Sequence, residues 1–98
     1  MSNFKDIIKG KQPVLVDFYA TWCSPCQTMS PVIDEIKNYY GDKIRILKVD
    51  VDKNVAASNK YKIRGVPTFI LFKKGEIVWR KSGVLSRKDL ISLIDPSV

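Results

Sequence analysis

Two hydrophobic rhythms alternate along this chain. Val14-Leu15-Val16-Asp17-Phe18-Tyr19 is β-branched and aromatic, and apolar on both faces except at Asp17, which is the pattern of a central strand buried on both sides. From Pro25 to Tyr40 the period becomes helical: Met29, Val32, Ile33, Ile36 and Tyr40 form one stripe, closed by Gly41. Pro25 suits a first turn, where a missing amide hydrogen costs nothing, whereas Pro31 lies inside the helix and predicts a kink. Ile44 to Val49 returns to alternation. The roughly two dozen residues between the two strands leave room only for a helical crossover, so the strands are expected to be parallel.

Shorter signals complete the pattern. Ser2 is placed to cap a short helix running to about Lys9, with Phe4, Ile7 and Ile8 on one side and Gly10 at its end. Another short helix is expected from about Val55 to Tyr61. Thr68 to Phe72 and Ile77 to Lys81 flank Lys73-Lys74-Gly75-Glu76, a β-hairpin whose glycine supplies a positive φ. Ser86 with Asp89 three residues on opens a final helix that turns Leu90, Ile91 and Ile94 inward. The order α-β-α-β-α-β-β-α defines an α/β class. With no linker, repeat or low-complexity tract, the 98 residues are read as a single domain over positions 1–98, too short for two cores.

Composition narrows the chemistry. At 45% apolar and 28% charged residues the chain has the balance of a soluble globular protein. Its longest nearly apolar stretch, Val14 to Trp22, is interrupted by Asp17 and falls short of the roughly 20 residues that span a bilayer, so no membrane partner is expected. Met1 to Gly10 does not read as a signal peptide, which predicts a cytoplasmic protein. The absence of histidine excludes Ser-His-Asp and Cys-His catalysis and His-ligated metals. Two cysteines cannot frame a small disulfide scaffold or close a four-thiolate zinc site, so neither a metal nor another bound cofactor is expected. The formal charge of +7 is lopsided: no Lys or Arg lies between Gln12 and Ile36, while nine of the seventeen lie from Lys60 to Lys88.

Trp22-Cys23-Ser24-Pro25-Cys26 joins the end of the buried strand to the start of the long helix. A helix N-terminus offers unpaired amide hydrogens and about half a positive charge, which favour a thiolate. Cys23, at the cap, is therefore expected to attack a partner's disulfide. Cys26, one turn inside and shielded by its helix, is expected to resolve the mixed disulfide. A zinc half-site lacks its other ligands here, and a two-residue loop makes a poor stabilising staple.

Asp17 precedes Cys23 by six residues on the buried strand. Lost hydration raises a carboxyl pKa, which would suit Asp17 to take the Cys26 proton. Lys48, on the neighbouring parallel strand, is the candidate charge partner, and the competing reading is an acid neutralised by Lys48 or by backbone donors. Gly65-Val66-Pro67-Thr68 enters the third strand. If that strand runs antiparallel to the first, Pro67 lies against the cysteine loop. A cis Val66-Pro67 bond would turn the Val66 backbone outward toward an extended substrate, whereas a trans bond would make Pro67 an ordinary strand-entry residue.

With these residues in order, the chain resembles the thioredoxin family over nearly its whole length. The resemblance is carried by Val16-Asp-Phe-Tyr-Ala-Thr-Trp-Cys-Ser-Pro-Cys, Pro31, Lys48-Val-Asp-Val-Asp, Tyr61-Lys-Ile-Arg-Gly-Val-Pro-Thr, Phe72-Lys-Lys-Gly-Glu and Gly83. It implies the thioredoxin fold, a cis bond before Pro67, and a buried Asp17 with Lys48. It also implies a redox-active Cys23-Cys26 disulfide, with Trp22, Ser24, Pro25, Val66, Pro67 and Gly83 binding substrate. The partners implied are disulfide-containing proteins and, as electron donor, an NADPH-linked, flavin-dependent thioredoxin reductase. Four departures stand out. Ser24 replaces the usual glycine, Gln27 a usual Lys or Arg, and Tyr19 a common tryptophan. Only Met1 and Ser2 precede the first helix, so about four sheet strands are expected, without the usual N-terminal edge strand, leaving Ile44 to Val49 as an edge.

Oxidising relatives usually carry a histidine between the cysteines, which stabilises the thiolate. Ser24-Pro25 offers no such charge, so this pair is expected to be a reductant, each 30 mV being worth about 1.4 kcal/mol. The function expected is protein-disulfide reduction by a monomer. An oxidant, isomerase or dedicated reductant on the same fold is the nearest alternative. A basic nucleic-acid module is a remoter one, since no nucleic-acid-reading motif accompanies the charge.

Overall fold

The computed structural model describes residues 4–98. The buried strand forms where the pattern placed it, as β1 (Val14–Tyr19), and it positions everything else. On one side it pairs in parallel with β2 (Arg45–Asp50), one residue later than expected; on the other it pairs antiparallel with β3 (Thr68–Lys73). With β4 (Glu76–Ser82) the sheet runs β2-β1-β3-β4, a mixed four-stranded sheet. Among the described residues β2 is an edge, with Arg45 and Lys48 exposed along it, charges of the kind that discourage unwanted pairing.

Side chains alternate across β1, so Leu15 and Asp17 share one face while Val14, Val16 and Phe18 share the other. The Leu15 face, with Phe69 and Leu71, packs against Met29, Ile33, Ile36 and Tyr40 of α2 (Ser24–Tyr40) and Leu90 and Ile94 of α4 (Arg87–Ile94). The opposite face, with Ile70 and Phe72, is covered by Phe4, Ile7 and Ile8 at α1 (Phe4–Ile7) and by Tyr61 and Ile63 after α3 (Val55–Lys60). Asp17 is thus an acid on the α2 face of a central strand, which is what brings it beneath the cysteines.

Pro31 lies inside α2, as the pattern places it: it forgoes one ladder bond on the exposed side, and the helix runs on to Tyr40. Two local details differ from expectation. The first helix ends at Ile7 rather than at about Lys9, and the Ser2 cap lies outside the described residues. In the hairpin turn both Lys74 (φ 54°) and Gly75 (φ 83°) are left-handed, the pattern of a two-residue type I′ turn, and the Gly75 N–H donates to the Ile8 carbonyl at 2.8 Å.

The Tyr40 hydroxyl donates to the Asp95 carboxylate at 2.6 Å, tying α2 to the end of α4. At the start of α4 the Ser86 hydroxyl accepts from the Asp89 N–H at 3.0 Å, as the capping signature requires. Ser86→Ala should lower unfolding stability by about 1 kcal/mol, read as a shifted urea midpoint at unchanged slope.

Candidate active site

β1 ends at Tyr19 and α2 begins at Ser24, so only Ala20 to Cys23 carry the chain from the middle of the sheet into the helix. Cys23 is the helix cap, with extended backbone (φ −88°, ψ 109°). Its N–H donates to the Ala20 carbonyl at 3.2 Å, and its sulfur accepts from the Cys26 N–H at 3.1 Å. Pro25 occupies the first turn, where its missing donor is no loss. One turn of helix brings the Cα atoms of Cys23 and Cys26 to 5.2 Å, and the two sulfurs form a disulfide.

The exposures correct one expectation. Cys23 is buried, at 3% exposed, whereas Cys26 is half-buried rather than shielded. The Cys23 sulfur folds back over the first turn to accept its hydrogen bond, while Cys26 borders an open cavity of about 260 Å³.

That cavity is lined by Asp17, Cys26, Ser30 and Lys48, together with Tyr19, Ala20, Thr21 and Gln27. Asp17 is 5% exposed, and its Oδ1 has no hydrogen-bond partner. Burial pushes its carboxyl from 3.8 up to about 6, a rise that the nearby Lys48 ammonium opposes. Lys48 is the register neighbour of Asp17, yet the two form no ion pair among the described residues. The Lys48 ammonium instead donates to the Ser30 hydroxyl at 3.5 Å, so Asp17 is not neutralised by direct contact.

On the other side of the sulfurs, the register Phe18↔Thr68 places the start of β3 beside the end of β1. The Val66–Pro67 bond is cis. Neither the N–H nor the carbonyl of Val66 has a partner among the described residues, while the Pro67 carbonyl accepts from the Gly83 N–H at 2.9 Å. Gly83 itself adopts φ 93°. Trp22 is 70% exposed, and its indole N–H donates to Asp52 at 2.9 Å. With Val51, Ile63, Arg64, Gly65 and Val66, Trp22 lines a groove of about 130 Å³. Ser24 and Pro25 are exposed on the outer surface and line neither cavity.

Two neighbours of the site were not singled out from sequence. Ser30 meets Lys48 because α2 lies over β2, a contact between elements that no local pattern signals. Asp52 reaches Trp22 because parallel pairing brings the ends of β1 and β2 together, where the Val51 N–H donates to Tyr19 and the Asp52 N–H to the Asp50 carboxylate.

The family model described as Thioredoxin matches residues 1–96. A thioredoxin of Acidithiobacillus ferridurans is 42% identical over 90 residues, covering 92% of this chain and 83% of that one. The chain belongs to the thioredoxin family. Thioredoxin Y1, chloroplastic, of Arabidopsis thaliana is 47% identical over 97 residues, which is 98% of this chain and 56% of the relative. The chain therefore spans little more than half the length of the chloroplastic relatives it matches. A solved structure described as "Structure of a malarial protein" superposes with a TM-score of 0.83 at 37% identity, covering 89% of this chain and 98% of that one. Thioredoxins are disulfide oxidoreductases that work through a redox-active disulfide, and the thioredoxin fold here carries the cysteine pair on which that chemistry depends.

Proposed function

We propose that this chain, acting as a single domain over residues 1–98, reduces disulfides in partner proteins. The observation that carries the reading is the placement of Cys23 as the cap of α2, its sulfur already accepting the Cys26 N–H. In the dithiol, the same amide and the helix terminus stabilise negative charge on Cys23. The Cys23 thiolate attacks one sulfur of a partner disulfide, that bond breaks, and the departing partner sulfur takes up a proton. Cys26 then gives its proton to Asp17, across the cavity they share, and attacks the Cys23 sulfur, releasing the second partner thiol. Two electrons and two protons pass to the partner, and Cys23-Cys26 becomes a disulfide. The attacker's role rests on helix electrostatics and on nearness to the Trp22 groove, not on exposure.

Lys48 modulates Asp17 from the mouth of the cavity. Trp22, Val66, Pro67 and Gly83 receive the substrate segment, with the unpartnered Val66 peptide free to pair with it, and Ser24 and Pro25 form the outer contact surface. The histidine-free Ser24-Pro25 dipeptide supports the reducing direction. Among the described residues no helix is long and apolar enough to cross a membrane. We place the protein in the cytoplasm as a monomer, recharged by an NADPH-linked thioredoxin reductase. A ferredoxin-linked donor is the alternative raised by the chloroplastic relatives.

A Cys26→Ser chain should accumulate as a mixed disulfide through Cys23 when offered disulfide proteins, seen by intact mass and by release with dithiothreitol. Absence of any adduct would defeat the proposed function. Recycling assays with each purified reductase would identify the donor.

A further inference from the structure

On the Trp22 side of the sulfurs the sequence between β2 and β3 is strongly basic. Between Asp52 and Glu76 there is no acidic residue, while Lys53, Lys60, Lys62 and Arg64 all lie before β3 begins. Of the two exposed acids that bound this stretch, Asp52 accepts from the Trp22 indole N–H and Glu76 lies at the start of β4. Arg64 forms part of the groove wall beside Trp22 and Val66, and Lys62 is exposed two residues away. Among the described residues neither side chain has a hydrogen bond or an ion pair, so the Arg64 guanidinium stands unspent at the groove wall and the Lys62 charge unspent on the surface two residues away.

The turn that carries them is held at some cost. Lys62 has φ 52°, a left-handed conformation that favours glycine. The Arg80 guanidinium reaches across from β4 to the Tyr61 carbonyl and, at 2.8 Å, to the Lys62 carbonyl. The Lys62 N–H donates to Asn59 and the Ile63 N–H to Ser58, at 3.1 and 2.9 Å. A lysine kept in a glycine conformation, braced by a second cation, at the rim of an apolar groove, is strain placed beside a binding surface.

We infer that the Lys62–Arg64 turn makes the groove selective for disulfide-bonded protein segments that carry a carboxylate next to the disulfide, with Arg64 and Lys62 as the residues that set that preference. The inference rests on the reductase reading above and names its substrate class. The apolar floor formed by Trp22, Val51, Ile63 and Val66 takes the segment's side chains. The planar Arg64 guanidinium, with its fork of donors, pairs with the flanking carboxylate. Lys62 adds an unpaired charge that steers an acidic partner to this edge.

Two synthetic peptides test this, each closed by one disulfide and differing only in glutamates or glutamines beside the cysteines. The chain is reduced with dithiothreitol, freed of excess reductant, and mixed with each peptide in single-turnover reactions read by mass. The glutamate peptide should be reduced faster, with the advantage shrinking as salt is raised. The ratio of the two rates should fall about two- to fivefold in Arg64→Gln and by a similar factor in Lys62→Gly, as expected for exposed ion pairs. Lys62→Gly should at the same time resist urea better, since glycine relieves the left-handed strain. Equal rates for the two peptides in the parent chain, or a ratio that neither substitution moves, would overturn the inference while leaving the reductase reading intact. Failure to reduce either peptide would overturn both.

Discussion

Cys23→Ser should leave a chain that folds normally and reduces insulin disulfides no faster than the buffer alone. A serine hydroxyl at the α2 cap can still accept the Cys26 N–H, so the local structure that the cysteine sulfur supports at 3.1 Å has a substitute. The chemistry has none, because an alcohol does not ionise near neutral pH and does not displace a sulfur from a disulfide. Cys26→Ser should differ in kind: its first step proceeds and its second does not, giving stoichiometric capture rather than silence. Paired turbidity and mass measurements separate the two variants. They also test the division of labour directly, since Cys26 is the more exposed of the two in the disulfide form. If Cys23→Ser captured partners through Cys26 as fast as the parent chain begins turnover, the attacking and resolving roles would have to be exchanged.

How far the site was legible in the sequence depends on whether a residue acts within its own element or across elements. β1, α2 and the cysteine junction were legible because each is a local pattern: an apolar run, a helical stripe, a proline where a first turn tolerates it. The closeness of Pro67 to that junction followed from one topological step, the antiparallel pairing of β3 with β1. What was not legible depends on side chains meeting across elements. Lys48 could be matched to Asp17 by strand register, but register does not say which way a long flexible ammonium turns, and here it turns to Ser30. Likewise the bond from Trp22 to Asp52 and the brace of Arg80 on the Lys62 turn join positions 30 and 18 residues apart, with no periodicity to announce them. The relative burial of the two cysteines is not legible for a related reason: a cap side chain folds over its own first turn, and the cavity that opens on Cys26 is made by residues from three separate elements.

Asp17→Asn should stabilise the protein at pH 8 by about 3 kcal/mol while slowing its turnover there. The carboxyl titrates near 3.8 when freely hydrated and near 6 in the fold, because burial opposes its charge more than the Lys48 ammonium favours it. Below pH 3.8 it is protonated in both the folded and unfolded chains and contributes nothing to the difference. As pH rises from about 4 to about 6 the unfolded chain releases this proton first, the folded chain binds more protons, and stability falls. Above about 6 the loss is complete, and two pH units at about 1.4 kcal/mol each give about 3 kcal/mol. Asparagine keeps the shape without the titration, so the urea midpoints of the two proteins should converge near pH 4 and separate toward pH 8. Resolution of the mixed disulfide should show the same crossover from the other direction. Where the parent Asp17 is ionised it can accept the Cys26 proton, and the asparagine chain should lag; below about pH 5 the parent carboxyl holds its own proton and the two rates should meet. A stability gap that ignored pH would mean that Asp17 finds compensation in the fold that its unpartnered Oδ1 does not reveal. Equal resolution rates at pH 8 would reduce the acid to a structural feature, and Cys26 would then pass its proton directly to water in the cavity.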